Sequence, residues 1–335
     1  MVTIGVIGYG YWGPNLVRNF FSLSSCRVKT ISDSIQHRLD LAKKYYPSIQ
    51  TTTDVKNIFK DSSVDAVVIA TPISSHFSLV KEALLNNKHV LVEKPMTASL
   101  HQAKKLVELA RSKKRLLMVD HTFLYTDAVQ KIMKLLAAGE IGKVRYFDST
   151  RTNLGLFQAD VSVLWDLAVH DISLLLYFIK ERPISIQASG ASHTENDIEN
   201  IAFITLKYKS GFIAHINCSW SSPLKIRMIL IGGTRKMIVY NDVEPTEKVK
   251  LYDSGYSLHR GTKEKKFIVD YRVGDVYIPK IELFEGLSKM AQDFIQSIKT
   301  KNKPISSAMY ALEVVKVLSL AEKSIKTGER PIQYK

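Results

Sequence analysis

The sequence predicts two domains: a doubly wound, parallel α/β sheet over residues 1–122, then an α+β domain with an open, mainly antiparallel sheet over 123–335. Three observations predict this. Over the first third, short apolar β-rich runs alternate with amphipathic segments, the pattern of a parallel sheet covered by helices on both faces. From Ile184 to about Tyr252, strand-like runs follow one another through short turns, the pattern of an antiparallel sheet. A length of 335 residues is too great for one ordinary domain and comfortable for two.

The elements follow in order. Val2–Ile7, Val28–Ser32, Ala66–Ala70, Val90–Val92 and Leu116–Val119 read as buried parallel strands. Between them Pro14–Phe21, Ile35–Tyr46, Val55–Phe59, Phe77–Leu85 and Leu100–Ser112 carry helical periodicity; Pro47 stops the second and Asp54 caps the third. Asp127–Ala138 reads as a helix ended by Gly139, and Leu164–Ile179 as one long apolar helix ended before Pro183. Ile201–Leu206 has the period-2 texture of a strand, with turns at Lys209-Ser210-Gly211 and Gly232-Gly233. Helices at Ile281–Lys299 and Ser306–Lys326 close the chain and can pack back on the first domain.

Composition bounds the function. Apolar residues make up 45% and charged residues 24%, the balance of a globular protein with real cores. No apolar run of about 18 residues exists, so no membrane helix is expected. The start, MVTIGVIGYG, lacks the basic flank and small-residue cleavage site of a signal peptide and reads as a first core strand. Cys26 and Cys218 stand far apart without metal-ligand spacing, which suits a reducing cytoplasm and predicts no metal site. The net charge of +15 divides as +8 over residues 1–122 and +7 over the rest. A charge so evenly spread is first of all a solvated surface, and second an attraction for a phosphate-bearing cofactor or substrate. No nucleic-acid-binding motif accompanies it.

Gly8-Tyr9-Gly10-Tyr11-Trp12-Gly13 is a G-x-G-x-x-G between the apolar run Thr3–Ile7 and Pro14, which opens a helix. Glycines at this spacing arise by chance; between a strand and a helix they make a loop whose backbone approaches a dinucleotide pyrophosphate. Asp33 lies 20 residues after Gly13, where a carboxylate accepts hydrogen bonds from the adenosine ribose of NAD. Arg38, with His37 beside it, argues the other way, because a cation there neutralises the extra phosphate of NADP. NAD is therefore the expected cofactor, with NADP the alternative. Two further stretches end strands on the ligand-binding edge: Thr71-Pro72-Ile73-Ser74-Ser75-His76 and Glu93-Lys94-Pro95. Taken alone, His76 reads more readily as a capping or packing residue than as a catalytic one. Lys94 directly follows a buried run, where low-dielectric surroundings would lower its pKa.

Together the glycine loop, Thr71-Pro72 with His76, and Glu93-Lys94-Pro95 resemble the Gfo/Idh/MocA family of oxidoreductases, over essentially the whole chain. The resemblance implies hydride transfer between a nicotinamide and a secondary alcohol or ketone of a sugar or cyclitol. It implies a cofactor site of Gly8 to Gly13, Asp33, Arg38, Thr71, Pro72, His76, Glu93 and Lys94. The family's lysine corresponds to Lys94, and its Asp-x-x-x-His to Asp166 and His170. On a helix, Asp166, His170, Ser173 and Tyr177 share one face, and a polar stripe on an otherwise apolar helix needs partners or a cavity. His170 is expected as general acid/base, since its ordinary pKa of about 6.5 suits proton exchange near neutrality. Lys94 is expected to hydrogen-bond the reacting oxygen and Asp166 to orient the imidazole, with the first two roles exchangeable.

The segment Arg151 to Phe157 resembles the branch acting on nucleotide-linked sugars at C3. Arg151 and Asn153, ending a strand that begins near Val144, are expected to touch substrate, with a surface strand end the alternative, and Tyr177 joins the substrate contacts from the polar helix face. The glycine-rich stretch that many members carry before the Asp-x-x-x-His is absent, the chain reading Asp160-Val161-Ser162-Val163-Leu164-Trp165 instead. A dehydrogenase of free sugars or inositols is the alternative, and a non-catalytic dinucleotide-binding regulator the remote one. Family members associate through the open sheet, so a homodimer or homotetramer is expected, with a small-molecule substrate and neither nucleic acid nor membrane as partner.

Overall fold

The computed structural model describes residues 1–155, 157–158, 160–195, 197–260, 267–282 and 284–334. Leu156, part of the segment expected near substrate, lies outside the described residues. The chain forms two compact units, Met1–Thr126 with Phe284–Ser319, and Asp127–Leu283 with Leu320–Lys335.

The first unit begins β1 (Val2–Ile7), α1 (Gly13–Phe21), β2 (Cys26–Ser32), α2 (Gln36–Tyr45), β3 (Gln50–Thr52), α3 (Lys56–Phe59), β4 (Ala66–Ile69) and α4 (Ile73–Leu85). It continues with β5 (His89–Glu93), α5 (Leu100–Ser112) and β6 (Leu117–Asp120). The six strands are all parallel, in the order β3-β2-β1-β4-β5-β6. Strand order therefore reverses between β1 and β4, and ligands bind beyond the carboxyl ends at such a reversal. Ile4, Val6, Val67, Val68, Ile69, Val90 and Val92 are fully buried; each such side chain contributes about 1.5–3 kcal/mol on leaving water.

The second unit begins α6 (Asp127–Ala137), β7 (Val144–Leu154), a π-turn at Leu164–Ala168 and α7 (Val169–Phe178). Strands follow: β8 (Pro183–Ala191), β9 (Ile201–Tyr208), β10 (Ile213–Ser219), β11 (Ser221–Gly233), β12 (Met237–Asn241), β13 (Val249–Tyr252), β14 (Gly255–Arg260), β15 (Phe267–Arg272) and β16 (Val276–Tyr277). Then come α8 (Gly286–Thr300), α9 (Ala308–Lys326) and β17 (Ile332–Gln333). Nine strands form one sheet in the order β16-β13-β12-β11-β7-β10-β9-β8-β17, while β14 and β15 pair separately. Only β7 and β10 run parallel within it, so the expected sheet is present and mixed. Along β9, Ala202, Ile204, Leu206 and Tyr208 are buried while Phe203 and Lys207 face out. The inner face is closed within this unit by α7 and by the end of α9, whose Ser324 hydroxyl oxygen accepts the Ala188 N–H at 2.9 Å.

Four local differences from the sequence reading have physical causes. β3 was not expected because its residues are polar; it forms as an edge strand registered on β2. Asp54 stands one residue further out than a cap: Val55 is the cap, and Asp54 Oδ1 accepts the Lys56 N–H at 2.9 Å. α4 starts at Ile73 rather than Phe77, because Pro72 is extended and the Ser75 hydroxyl and amide both donate to its carbonyl, at 2.8 and 3.0 Å. α8 starts at Gly286 rather than Ile281, behind Glu285, whose carboxylate is held by Arg18 and Asn19.

Candidate active site

The glycine loop follows β1 and leads into α1. Gly8 has φ +94°, a left-handed value that favours glycine, and a Cβ there would collide with the Ala70 carbonyl. A Cβ on Gly13 would collide with the Gly8 carbonyl. These two glycines let the loop close. A Cβ on Gly10, in contrast, would meet nothing nearer than Arg38 Nη1 at 3.5 Å. The backbone at Gly10 thus leaves room for a ligand at the start of α1, where unpaired amides favour an anion, and the loop fits a dinucleotide's phosphates. Tyr9 is buried, while Tyr11 and Trp12 stand exposed with rings edge to face at 5.6 Å.

Asp33 is buried and braces this loop. Its Oδ2 accepts the Tyr9 N–H at 2.7 Å and its Oδ1 the Ile35 N–H at 2.9 Å. Arg38, half exposed, brings Nη1 to 3.4 Å from Oδ2. The acid and the base that argued for different cofactors are therefore one ion pair.

Beyond β4, the Thr71 hydroxyl bonds Ser75 Oγ at 2.7 Å and Pro72 is exposed. His76 lies between the two loops of the ligand-binding edge. It is 1% exposed, with Nδ1 at 2.9 Å from the Pro95 carbonyl and Nε2 at 2.8 Å from that of Thr71. The ring thus sits between the loop after β4 and the loop after β5, in which the Lys94–Pro95 peptide is cis. Lys94 is half-buried at the end of β5.

Glu93, also expected at the cofactor, is buried beside Asp120. Burial, reinforced by the Asp120 charge, pushes the Glu93 carboxyl well above the carboxylate range. Asp120 is pushed up by burial as well, although the Thr122 hydroxyl donating to Oδ1 works against this. His121 is buried edge-on to Tyr310, and burial, with the Lys94 charge nearby, holds it down to about 3. Sequence reasoning missed Asp120 and His121. The available signal was a pair of polar residues, Asp120-His121, directly after an apolar strand on the ligand-binding edge.

In the second unit, Asp166 lies inside the π-turn, where the Val169 N–H reaches back to the Leu164 carbonyl. Asp166 Oδ2 accepts the indole N–H of the buried Trp220 at 3.0 Å, a partner that sequence reasoning missed. His170, half-buried, opens the first turn of α7, and its carbonyl accepts the Ser173 hydroxyl at 2.7 Å. Tyr177 exchanges hydrogen bonds with Gln130, at 3.1 and 3.4 Å, so its hydroxyl is engaged on α6. Arg151, expected to reach substrate, is instead 2% exposed and forms a two-pronged pair with Asp171, at 2.7 and 3.1 Å. In mid-sheet, with a buried acid opposite on α7, its guanidinium is held by that pair. Asn153 remains half-buried at the end of β7, and Phe157 is exposed against Trp220 at 5.6 Å.

Chemically, the first unit offers an anion-binding loop and a lysine at the carboxyl edge of a parallel sheet. The second offers a histidine and an indole-bound carboxylate one turn apart.

Comparison with known proteins places the chain in a family. The description "Oxidoreductase family, NAD-binding Rossmann fold" matches residues 2–121, and the C-terminal domain of the same family matches residues 129–239, together more than half of the chain. The UDP-N-acetylglucosamine 3-dehydrogenase of Acidithiobacillus ferrooxidans is 27% identical over 223 residues, 64% of this chain and 66% of that protein. The myo-inositol 2-dehydrogenase of Thermotoga maritima is 23% identical over 294 residues, 84% of this chain and 87% of that protein. A crystal structure of an oxidoreductase from Agrobacterium radiobacter with NAD+, L-tartaric acid and magnesium superposes with a TM-score of 0.83. At 18% identity, over 99% of this chain and 98% of that one, this is a likeness of fold. With both of its domains matched and a glycine loop shaped for dinucleotide phosphates, this protein belongs to the GFO/IDH/MocA family of NAD-binding oxidoreductases.

Proposed function

We propose that this protein transfers a hydride between nicotinamide and a secondary alcohol or ketone of a sugar, a nucleotide-linked sugar reacting at C3. The observation that carries the oxidoreductase reading is the loop open at Gly10, on the same sheet edge as Lys94. Bound NAD supplies the hydride acceptor. The residues of the chain handle the proton and the developing negative charge on oxygen. His170 takes the hydroxyl proton, Lys94 donates a hydrogen bond to the reacting oxygen, and Asp166, fixed by Trp220, orients the imidazole. Asn153 contacts the substrate beyond the sugar ring.

The nucleotide-linked sugar rests on the UDP-sugar relative and on the net charge of +15, which suits a pyrophosphate. The myo-inositol 2-dehydrogenase relative, which matches more of the chain, favours a free cyclitol or sugar as the second reading. Initial rates of NAD reduction with UDP-sugars, dTDP-sugars, free sugars and inositols test the choice. Turnover confined to nucleotide-linked sugars supports the first reading. Efficient turnover of inositol or glucose, with no binding of nucleotide sugars, replaces it with the second.

The protein further associates as a homodimer or homotetramer through the outer face of the nine-stranded sheet and works in a reducing cytoplasm. Both cysteines are free and buried, and burial pushes the Cys26 thiol up to about 12, which leaves it unreactive. Among the described residues, no helix is long and apolar enough to cross a membrane.

A further inference from the structure

β5 and β6 run in parallel register with Glu93 beside Asp120, and only 7% and 4% of the two residues is exposed. Two carboxylates side by side out of water cannot both stay ionised, and they titrate as a pair. The hydrogen-bond donors at this corner are unequal. Asp120 Oδ1 accepts the Thr122 hydroxyl. Glu93 Oε2 accepts the Lys94 backbone N–H at 3.2 Å, while Oε1 has no donor among the described residues and the carboxyl lies within hydrogen-bond reach of Asp120. A proton on Glu93 Oε1, donated to Asp120, satisfies both groups and leaves the negative charge where the donors are. Glu93, held well above the carboxylate range by burial and the neighbouring charge, fits this assignment. The other titratable groups at this edge are Lys94, whose charge acts on both carboxyls, and His121, which burial keeps neutral.

We propose that Glu93 and Asp120 share one proton at neutral pH, carried by Glu93, and that the single negative charge left on the pair positions Lys94. Glu93 and Asp120 are then positioning residues that act through Lys94. The second half of this statement rests on the catalytic reading of Lys94; the first half does not. At low pH Asp120 takes up a proton, the pair becomes neutral, and the negative charge that it sets beside Lys94 is lost. Asp120→Asn fixes that state at every pH.

The test has two arms. Infrared difference spectra of the cofactor-free protein at neutral pH read the proton directly. The wild type shows the carbonyl stretch of a protonated carboxylic acid, Glu93→Gln removes it, and Asp120→Asn keeps it. A wild-type spectrum from which Glu93→Gln removes no such band overturns the shared proton, whatever the enzyme turns over. The second arm reads Lys94. Asp120→Asn lowers kcat by about tenfold or more, the scale of losing a neighbouring opposite charge in a partly buried site, with KM changed much less. It also removes the pair's share of the acid limb of the pH profile and leaves that of the His170 base, whereas Glu93→Gln retains both. In addition, Asp120→Asn raises the rate at which Lys94 is acetylated, read by mass spectrometry against the other lysines, and this readout needs no substrate. An unchanged acetylation rate overturns the positioning of Lys94. Absence of turnover by the wild type, with the labelling difference present, overturns the functional reading and leaves the pair standing.

Discussion

Asp33 sits at the end of β2 with each carboxylate oxygen already accepting a backbone N–H and with the Arg38 guanidinium over it. A ribose hydroxyl approaching this corner meets a carboxylate held in place. A 2′-phosphate meets the same carboxylate as a like charge, and at about 4 Å and an effective dielectric near 20 that costs roughly 4 kcal/mol before relaxation and screening. Arg38 offsets part of this, so NAD should bind about tenfold to a hundredfold more tightly than NADP, or about 1.4–3 kcal/mol. Titration with both reduced cofactors measures it; tighter binding of the phosphorylated form would show that Arg38 rather than Asp33 sets the preference. At His121 the consequence is one of stability. Burial holds the folded imidazole down to about 3, while in the unfolded chain it titrates near 6.5. Below about pH 6.5 the unfolded chain therefore binds a proton that the folded one refuses, and stability is lost progressively as pH falls towards the folded value. Urea denaturation of wild type and His121→Gln at about pH 7 and pH 5 isolates this group. The wild type should lose about 2 kcal/mol relative to the variant between the two, and parallel losses in both proteins would refute the assignment.

At the scale of elements, legibility followed the source of each signal. β1, β4 and β5 were legible because buried parallel strands are continuous apolar runs, and the glycine loop because its spacing is fixed by backbone approach. β3 was not, since an edge strand of polar residues is made by its neighbour. The π-turn before α7 was invisible because an extra residue in a helix leaves the apolar pattern nearly unchanged, although such insertions concentrate at functional sites. Asp166 and His170 were legible as a spaced pair; Trp220, which holds Asp166, lies 54 residues further on and carried no signal. The partner of Arg151 was not legible, because nothing near it in the sequence points to the acid opposite it. That acid, Asp171, is a buried charge on the otherwise apolar α7. The buried Arg151–Asp171 pair yields an element-scale prediction. Arg151→Leu leaves Asp171 buried without its cation and should cost about 3–5 kcal/mol, whereas a double replacement by apolar residues should recover much of the loss. Urea midpoints measure both, and a single variant as stable as the wild type would contradict the burial of this pair.

The whole molecule depends on two sheets of different kinds. The six-stranded sheet is covered by its own helices, while the nine-stranded sheet has an outer face that carries Tyr146, Ile184, Phe203 and Ile213, each more than a third exposed. Apolar groups gathered on an open sheet are uncommon in monomers. Light scattering at micromolar concentration should therefore give the mass of a dimer or tetramer, and Phe203→Glu should shift it towards the monomer; a monomeric wild type would refute the association. The central claim is that this chain moves a hydride, and Lys94 and His170 bear on it most closely. A candidate nucleotide-linked sugar, deuterated at the carbon to be oxidised, should pass one deuterium to the nicotinamide, read by mass spectrometry of the reduced cofactor. Lys94→Ala and His170→Ala should each slow this transfer by about a hundredfold or more, with NAD still bound. Tight NAD binding, with no deuterium transferred from any deuterated nucleotide sugar, free sugar or cyclitol, would contradict the claim and leave a dinucleotide-binding regulator in its place.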